Sequence, residues 1–279
     1  VKEPLLTENR PTATILPGTQ KAILVTGEGK TVNLNPETAD VEIGEGVKAK
    51  NSNHGLIYSD TLTAGIEDTE NQLIVPRGGE YAIVLSDGTR VWLNSASELK
   101  YPVHFAGDMR RVYLKGEAYF DVTKKKKTPF IVRTDKYDIE VLGTQFDVDA
   151  YPDQTAFETT LMKGSVKVTS QHFPEQTITL KPHHKAYVKD GQLAVTKVND
   201  FTPYRWKEGL ICFKDEPFQT IMEDFEKYYG IRIIINNKKV LKYSYNGKFR
   251  QADGIDYALR VLQRDIHFKY ERANDEEII

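Results

Sequence analysis

Between Leu73 and about Asn199, apolar and polar residues alternate with a period of two, in short runs that end at glycine, proline or lysine clusters. Such a period puts every second side chain on one face of an extended chain, the pattern of half-buried strands. The runs are residues 81–85, 90–93, 98–101, 111–114, 118–122, 130–133, 137–142, 146–150, 157–163, 165–169, 176–180, 184–189 and 192–197. Turn signals at intervals of about eight to twelve residues fit a sandwich, a roll or a short β-helix, and the pattern does not choose among them. Gly143 and Gly164 read as bulges or points of close backbone approach.

After Asn199 the period changes. Residues 200–207, with Pro203 and the aromatics Phe201, Tyr204 and Trp206, read as a linker lying on the surface of a neighbour. Phe218, Ile221, Met222, Phe225 and Tyr229 then recur at helical spacing before Gly230, and Asp215 and Glu216 ahead of Pro217 suit the first turn of that helix. Asp253 is placed to cap a second helix whose apolar stripe is Ile255, Ala258, Leu259 and Leu262. Strands are expected over 210–213, 231–236, 243–249 and 267–270, so the order is β-α-β-β-α-β. Asn246-Gly247 either lies within the third strand or splits it as a hairpin turn. The fold class is therefore mainly β with a C-terminal α+β domain.

An internal repeat organises the start of the chain. Residues 16–35 align without a gap on residues 75–94. Each copy reads as a hairpin, with a two-residue turn at Glu28-Gly29 in the first and Asp87-Gly88 in the second. Ile83, Leu85, Val91 and Leu93 share one face and Trp92 falls on the other, which implies a second apolar surface. Residues 41–50 and 55–63 continue as short strands, and the acidic, polar stretch 66–72 reads as a junction.

Three phrases run in series through the β region: Arg110-x-Val112-x-Leu114-x-Gly116-Glu117-Ala118-x-Phe120-x-Val122, then Pro129-Phe130-x-Val132, then Leu142-Gly143-Thr144-x-Phe146-x-Val148. In this order and at these spacings they resemble the FecR family of periplasmic anti-sigma regulators. The resemblance implies structural roles for Asp87, Gly88, Asn94, Gly116, Glu117, Phe120, Pro129, Phe130, Gly143, Thr144 and Phe146. The β-α-β-β-α-β order resembles the C-terminal domain of Bacteroides-type FecR proteins, itself similar to the short signalling domain at the amino terminus of secretins and TonB-dependent transporters. The domains expected are a linker over 1–14 after a membrane segment, an N-terminal β region over 15–70 echoing the start of the main domain, a FecR-like all-β domain over 71–199, a linker over 200–208, and a signalling-type α+β domain over 209–279. With no initiator methionine, Val1 reads as a boundary within a longer chain, and the resemblance implies that an inner-membrane helix and a cytoplasmic sigma-binding segment precede it.

Composition narrows the partners. Lysine plus arginine (38) nearly cancels aspartate plus glutamate (40), so no global field draws the chain to nucleic acid or an anionic membrane. Hydrophobic residues at 39% supply a core. The lone Cys212, in an apolar run, reads as a small buried hydrophobe and rules out a disulfide framework. No run reaches the roughly 18 apolar residues that span a bilayer.

Candidate chemistry is thin. Glu117 and Asp121 are four apart on one strand, hence on one face and about 13 Å apart by the strand rise; paired glycosidase carboxylates sit closer, at about 5–9.5 Å. They read as structural residues of turn and strand pairing. His183 and His184 point to opposite faces of a strand, and no third ligand is near in sequence. Lys124 to Lys127 read as a solvated loop. Residues 73–199 are expected to hold no buried acid pair, metal cluster or deep polar pocket.

The resemblance implies a region that senses a TonB-dependent outer-membrane transporter by contact and controls an extracytoplasmic-function sigma factor, in iron or glycan uptake, without catalysis, metal or cofactor. A small α+β unit keeps open sheet edges and grooves beside its helices, so strand addition or helix docking is the expected route. The contact residues expected are Ile231, Ile233, Ile235, Tyr243, Tyr245 and Phe249. An extracellular carbohydrate- or surface-binding module, which the 15 tyrosines could serve, is the alternative; a hydrolase accessory domain is a third reading.

Overall fold

A computed structural model describes residues 19–38, 40–44, 47–52, 55–58, 69–152, 157–274 and 276–279. The expected linker 1–14, the later part of the strand expected over 55–63 and residues 66–68 of the expected junction lie outside the described residues.

The repeat is a pair of equivalent hairpins. Ala22–Val25 pairs with Thr31–Leu34 in the register Ala22 to Leu34, and Tyr81 of Gly79–Val84 pairs with Leu93 of Arg90–Leu93 in the corresponding register. The turns match bond for bond. Thr26 N–H donates to Lys30 O and Gly29 N–H to Thr26 O in the first; Leu85 N–H donates to Thr89 O and Gly88 N–H to Leu85 O in the second. This pattern corrects the turn centres. The central pair of the second turn is Ser86-Asp87, and Gly88 follows it in the left-handed region at φ 83°, as Gly29 does at φ 80°. A glycine there ends a three-residue loop with a bulge.

Two ladders of strands share one long member, Arg110–Asp121. Along one ladder the order is Thr31–Leu34, Ala22–Val25, Glu70–Val75, Ser97–Pro102, Arg110–Asp121, Phe130–Arg133, Tyr137–Val141, Val166–Ser170 and Thr177–Leu180. Along the other it is Val47–Ser52, Gly55–Ile57, Gly79–Val84, Arg90–Leu93, Arg110–Asp121, Gln145–Ala150, Glu158–Lys163, His184–Lys189 and Gln192–Lys197. Most pairings are antiparallel, which fits a sandwich or roll and not a β-helix. The expected strands 111–114 and 118–122 are one strand that changes ladders at Gly116, whose φ is 95°. A Cβ on Gly116 would stand 2.4 Å from Ser97 Oγ and 2.8 Å from Ser97 Cα, so glycine is what lets the strand cross its neighbour there.

Both ladders turn their apolar alternates into one core, where Leu24, Leu73, Leu99, Val112, Val91, Phe120, Phe130, Phe146 and Leu161 are fully buried. Phe120 stacks on Phe146 with centroids 5.1 Å apart. The motif aromatics Phe120, Phe130 and Phe146 are core residues.

A second core gathers Ile211, Phe213, Phe218, Ile221, Phe225, Phe249, Ile255, Leu259 and Leu262. Leu210–Pro217 leads into helix α1 (Phe218–Tyr229), Arg232–Ile233 and Ser244–Arg250 follow, then helix α2 (Ile255–Asp265) and the strands Arg272–Asn274 and Glu277–Ile278. The element order holds and several boundaries move. The expected strand 267–270 is irregular, and the closing strands lie beyond it. Asp215 and Glu216 belong to a bulge in the strand, with Pro217 at the helix N-cap, because Asp215 N–H is taken by the Asn246 side chain. Ser244–Arg250 runs unbroken through Asn246-Gly247. Gly254, not Asp253, occupies the N-cap of α2, since Asp253 closes a short 3-10 turn.

Candidate interdomain and partner-docking site

The outward face of the second ladder is polar, and the rest of the chain covers it. Asn94, Glu117 and Asp149 sit at matching positions on three adjacent strands or their ends, Glu117 directly opposite Asp149. Asp147, one strand step on, lies opposite Tyr119, which lies opposite Trp92. The 3-10 helix Thr202–Glu208 lies over that row. Trp206, 2% exposed, donates its indole N–H to Asp147 Oδ2 at 3.3 Å; Thr160 donates to Tyr204 Oη at 2.8 Å; and Lys207 Nζ stands 4.9 Å from the Tyr119 ring centre and 5.7 Å from that of Trp92. The apolar part of this face is small: Trp92 and Tyr119, edge to face, under the Lys207 side chain.

The C-terminal end of α1 lands beside it. Gly78 N–H donates to Lys227 O at 2.9 Å, and the Ser95 hydroxyl donates to the same carbonyl. A helix leaves its last carbonyls without intrahelical donors, and here the β domain supplies them. Gly78 and Gly230 meet backbone to backbone: a Cβ on Gly78 would lie 3.0 Å from Gly230 Cα. Asn94 Nδ2 donates to Glu117 Oε2 at 2.7 Å and to Tyr228 Oη at 3.4 Å. Lys227 Nζ lies 4.3 Å from the Tyr151 ring centre and 3.5 Å from Asp224 Oδ1, with its side chain 12% exposed.

Asp147 is buried and Glu117 and Asp149 are half-buried beside it, with one Asp149 oxygen fully covered, an acid cluster that corrects the expectation that none exists between 73 and 199. Burial pushes Glu117 up to about 8, the charge of Asp149 adding to it and Lys227 and Asn94 opposing. Burial raises Asp149 to about 6, and raises Asp147 and Asp224. Lys227 is held above its ordinary value: desolvation would lower it, and Glu117, Tyr228 and Asp224 outweigh that. One oxygen of Asp149 is buried without a hydrogen-bond donor. Strand alternation put Glu117 and Asp121 on one face, but could not show that a helix distant in sequence covers Glu117.

The other motif residues are structural. Asp87 is paired with Arg110 at 2.6 Å, both side chains 2% exposed or less, and receives Thr89 N–H and Oγ1–H. Thr144 donates to Ser165 O, and Gly143 packs against Lys124 so closely that a Cβ would stand 2.6 Å from its Cα. Asp121 pairs with Arg90. His183 sits edge-on to Phe201 and His184 contacts Pro182 O, so the two histidines do not converge. Lys124 to Lys127 are exposed. Cys212 is half-buried on the face turned away from the core, between the inward Ile211 and Phe213, a correction to its reading as a buried hydrophobe. Burial nonetheless pushes its thiol up.

In the C-terminal unit, an apolar cavity of about 350 Å³ is lined by Phe218, Met222, Ile233, Ile235, Phe268 and Tyr270, among others. Ile231 (5% exposed) and Phe249 (2%) belong to the core and present no side chain to a partner, a correction to their reading as contact residues. Ile233, Ile235 and Tyr245 are half-buried, and Tyr243 is exposed. The edge at Arg232–Ile233 is occupied. Ile233 N–H is taken by Glu226 Oε1 at 2.6 Å and the strand pairs with Glu277–Ile278. Ser244–Arg250 pairs only with Leu210–Pro217 among the described strands, leaving one edge without a strand.

The profile described as FecR protein matches residues 71–167, and the one described as FecR, C-terminal matches residues 210–279. The chain belongs to the FecR family. A crystal structure at 1.65 Å of a candidate anti-sigma factor from Parabacteroides distasonis is similar at TM-score 0.66 and 27% identity, over 74% of this chain and 96% of that one. A second at 2.50 Å gives the same score and identity over 75% and 97%. No curated protein matches the chain significantly. In this FecR protein the interdomain contact joins the two matched regions: Gly78, Asn94, Glu117 and Asp149 lie in the first, Lys227, Tyr228 and Gly230 in the second. The residues that sequence reasoning passed over here are Asp149 and Lys227, which carry no signal of their own, and Arg110, which alternation puts on the inward face with Val112 and Leu114 but whose charge argues against full burial.

Proposed function

We propose that this chain is the regulatory region of a FecR-type anti-sigma factor. On this reading it is periplasmic and tethered to the inner membrane by a helix upstream, receives a signal by contact from the signalling domain of a TonB-dependent transporter, and controls an extracytoplasmic-function sigma factor through a cytoplasmic segment. The observation that carries the reading is the succession of the FecR and FecR C-terminal regions on one chain, together with a structural neighbour of matching extent that is a candidate anti-sigma factor. No described helix is long and apolar enough to cross a membrane. Among the described residues, the exposed large aromatics are Tyr113, Phe173, Tyr243 and Tyr257, and none of these pairs with another in a ring contact, which is no positive sign of a sugar-binding aromatic platform.

The edge of Ser244–Arg250, with Tyr243 exposed beside it, is the proposed docking place, by strand addition. Adjacent residues in a strand point their N–H groups to opposite sides. Of the variants Gly247→Pro and Lys248→Pro, one breaks the existing ladder to Leu210–Pro217 and the other removes an outward donor. Calorimetry with the transporter's signalling domain should show the better-folded of the two binding at least tenfold more weakly than the parent chain. Unchanged affinity in that variant rules out strand addition, and no binding by the parent chain at high micromolar concentration overturns the regulatory reading.

A further inference from the structure

The two hydrophobic cores do not merge. What joins them at α1 is polar and small: two hydrogen bonds onto Lys227 O, a glycine-to-glycine contact, Asn94 between Glu117 and Tyr228, and a lysine over the Tyr151 ring. Interfaces of this kind hold domains together without fusing them, and relative motion is their ordinary behaviour. The charge balance is uneven as well. Facing the junction from the sheet are Glu117, Asp147, Asp149 and Glu158, the last paired with Lys185; from the C-terminal unit come Glu216, Glu223, Asp224, Lys227 and the hydroxyl of Tyr228. Lys227 is the one cation among these that no sheet carboxylate already pairs. Closing the junction removes more negative charge from water than positive.

We propose that the contact between α1 and the turns around Gly78 and Ser95 is a releasable clasp whose closure takes up protons, so that the C-terminal domain swings away from the FecR domain as pH rises. This concerns the chain alone and does not rest on the transporter as partner. Its sign follows from the carboxylates. Glu117 and Asp149 hold their protons more tightly when covered than when exposed, so closure carries no penalty below about pH 4–5. The penalty grows between there and about pH 8 for Glu117 and about pH 6 for Asp149, and is constant above. Each proton taken up on closure changes the open-to-closed ratio by up to about tenfold per pH unit inside that window. Lys227 stays charged throughout and opposes opening. Asp147 remains under Trp206 in both states and contributes little to the difference.

The test is a distance measurement by pulsed electron resonance on the whole chain. Spin labels replace the exposed Lys126 and Tyr257, as Lys126→Cys and Tyr257→Cys, in a Cys212→Ser background. A single short distance is expected at pH 5, with a second, longer population growing toward pH 8. Lys227→Ala should raise the open fraction at pH 8 at least fivefold, and Glu117→Gln should flatten the pH response. Asp149→Asn gives the same reading should Glu117→Gln not fold. Only the closed distance at pH 8 in both the parent and Lys227→Ala overturns the clasp, and an open fraction independent of pH overturns its proton linkage.

Discussion

Asp87 and Arg110 show how much one motif position can hold. The carboxylate anchors its own turn through Thr89, and the guanidinium gives one nitrogen to Asp87 and Thr123 O and the others to Thr128 O, at 2.6–3.1 Å, while lying over the Phe130 ring. One buried pair thereby fixes the hairpin turn and both ends of the lysine-rich loop. Two desolvated charges contribute little net stability, yet removing one strands the other. Asp87→Ala is expected to cost about 3–5 kcal/mol in urea unfolding. Asp87→Ala with Arg110→Met should recover a good part of that loss, since no charge is then left buried. The motif named Asp87 as structural, but its partner was hidden because an arginine at a strand start is ordinarily exposed.

At the scale of elements, strand alternation reported faces correctly along the second hairpin of the repeat. Ile83, Leu85, Val91 and Leu93 are all 1% exposed or less, and Trp92 is on the opposite face. Boundaries were set by other forces. The long strand was read as two because glycine ordinarily weakens a strand interior, whereas Gly116 serves a crossing between ladders. Gly116→Ala must adopt φ near 95° and push against Ser97, so a loss of at least about 1–3 kcal/mol is expected from the backbone alone. Chemical denaturation would show it as a lower midpoint. Asp215 and Glu216 looked like the opening of a helix because acids favour a helix N-terminus, but the bulge opposite Asn246 captured them first.

For the whole molecule, the short 3-10 helix is fastened to the β sheet through Trp206 and Tyr204 and so belongs to that domain more than a free linker would. Trp206 is the largest of the fully buried side chains and also the donor to Asp147. Trp206→Phe keeps most of the apolar contact and removes the N–H, which leaves a buried carboxyl oxygen with one donor fewer. A loss of about 1–3 kcal/mol is expected, and scanning calorimetry reads it as a lower midpoint for the unfolding of the β domain. Trp206→Ala should cost more, about 3–5 kcal/mol, by opening a cavity as well.

The strand-rich class, the paired hairpins, the β-α-β-β-α-β order and the family phrases are legible in the residues alone, because each depends on contacts near in sequence or on a local period. What covers the outer face of the second ladder is visible only once the chain is folded. Glu117, Asp149 and Lys227 are unremarkable in isolation, and their properties come from a helix distant in sequence, the one that carries Lys227, arriving over a polar sheet. The same holds for the docking edge. A strand's period shows which side chains face a core, but whether its backbone N–H groups are free depends on neighbours: Glu226 closes the edge at Ile233, while Ser244–Arg250 keeps an edge with no strand beside it.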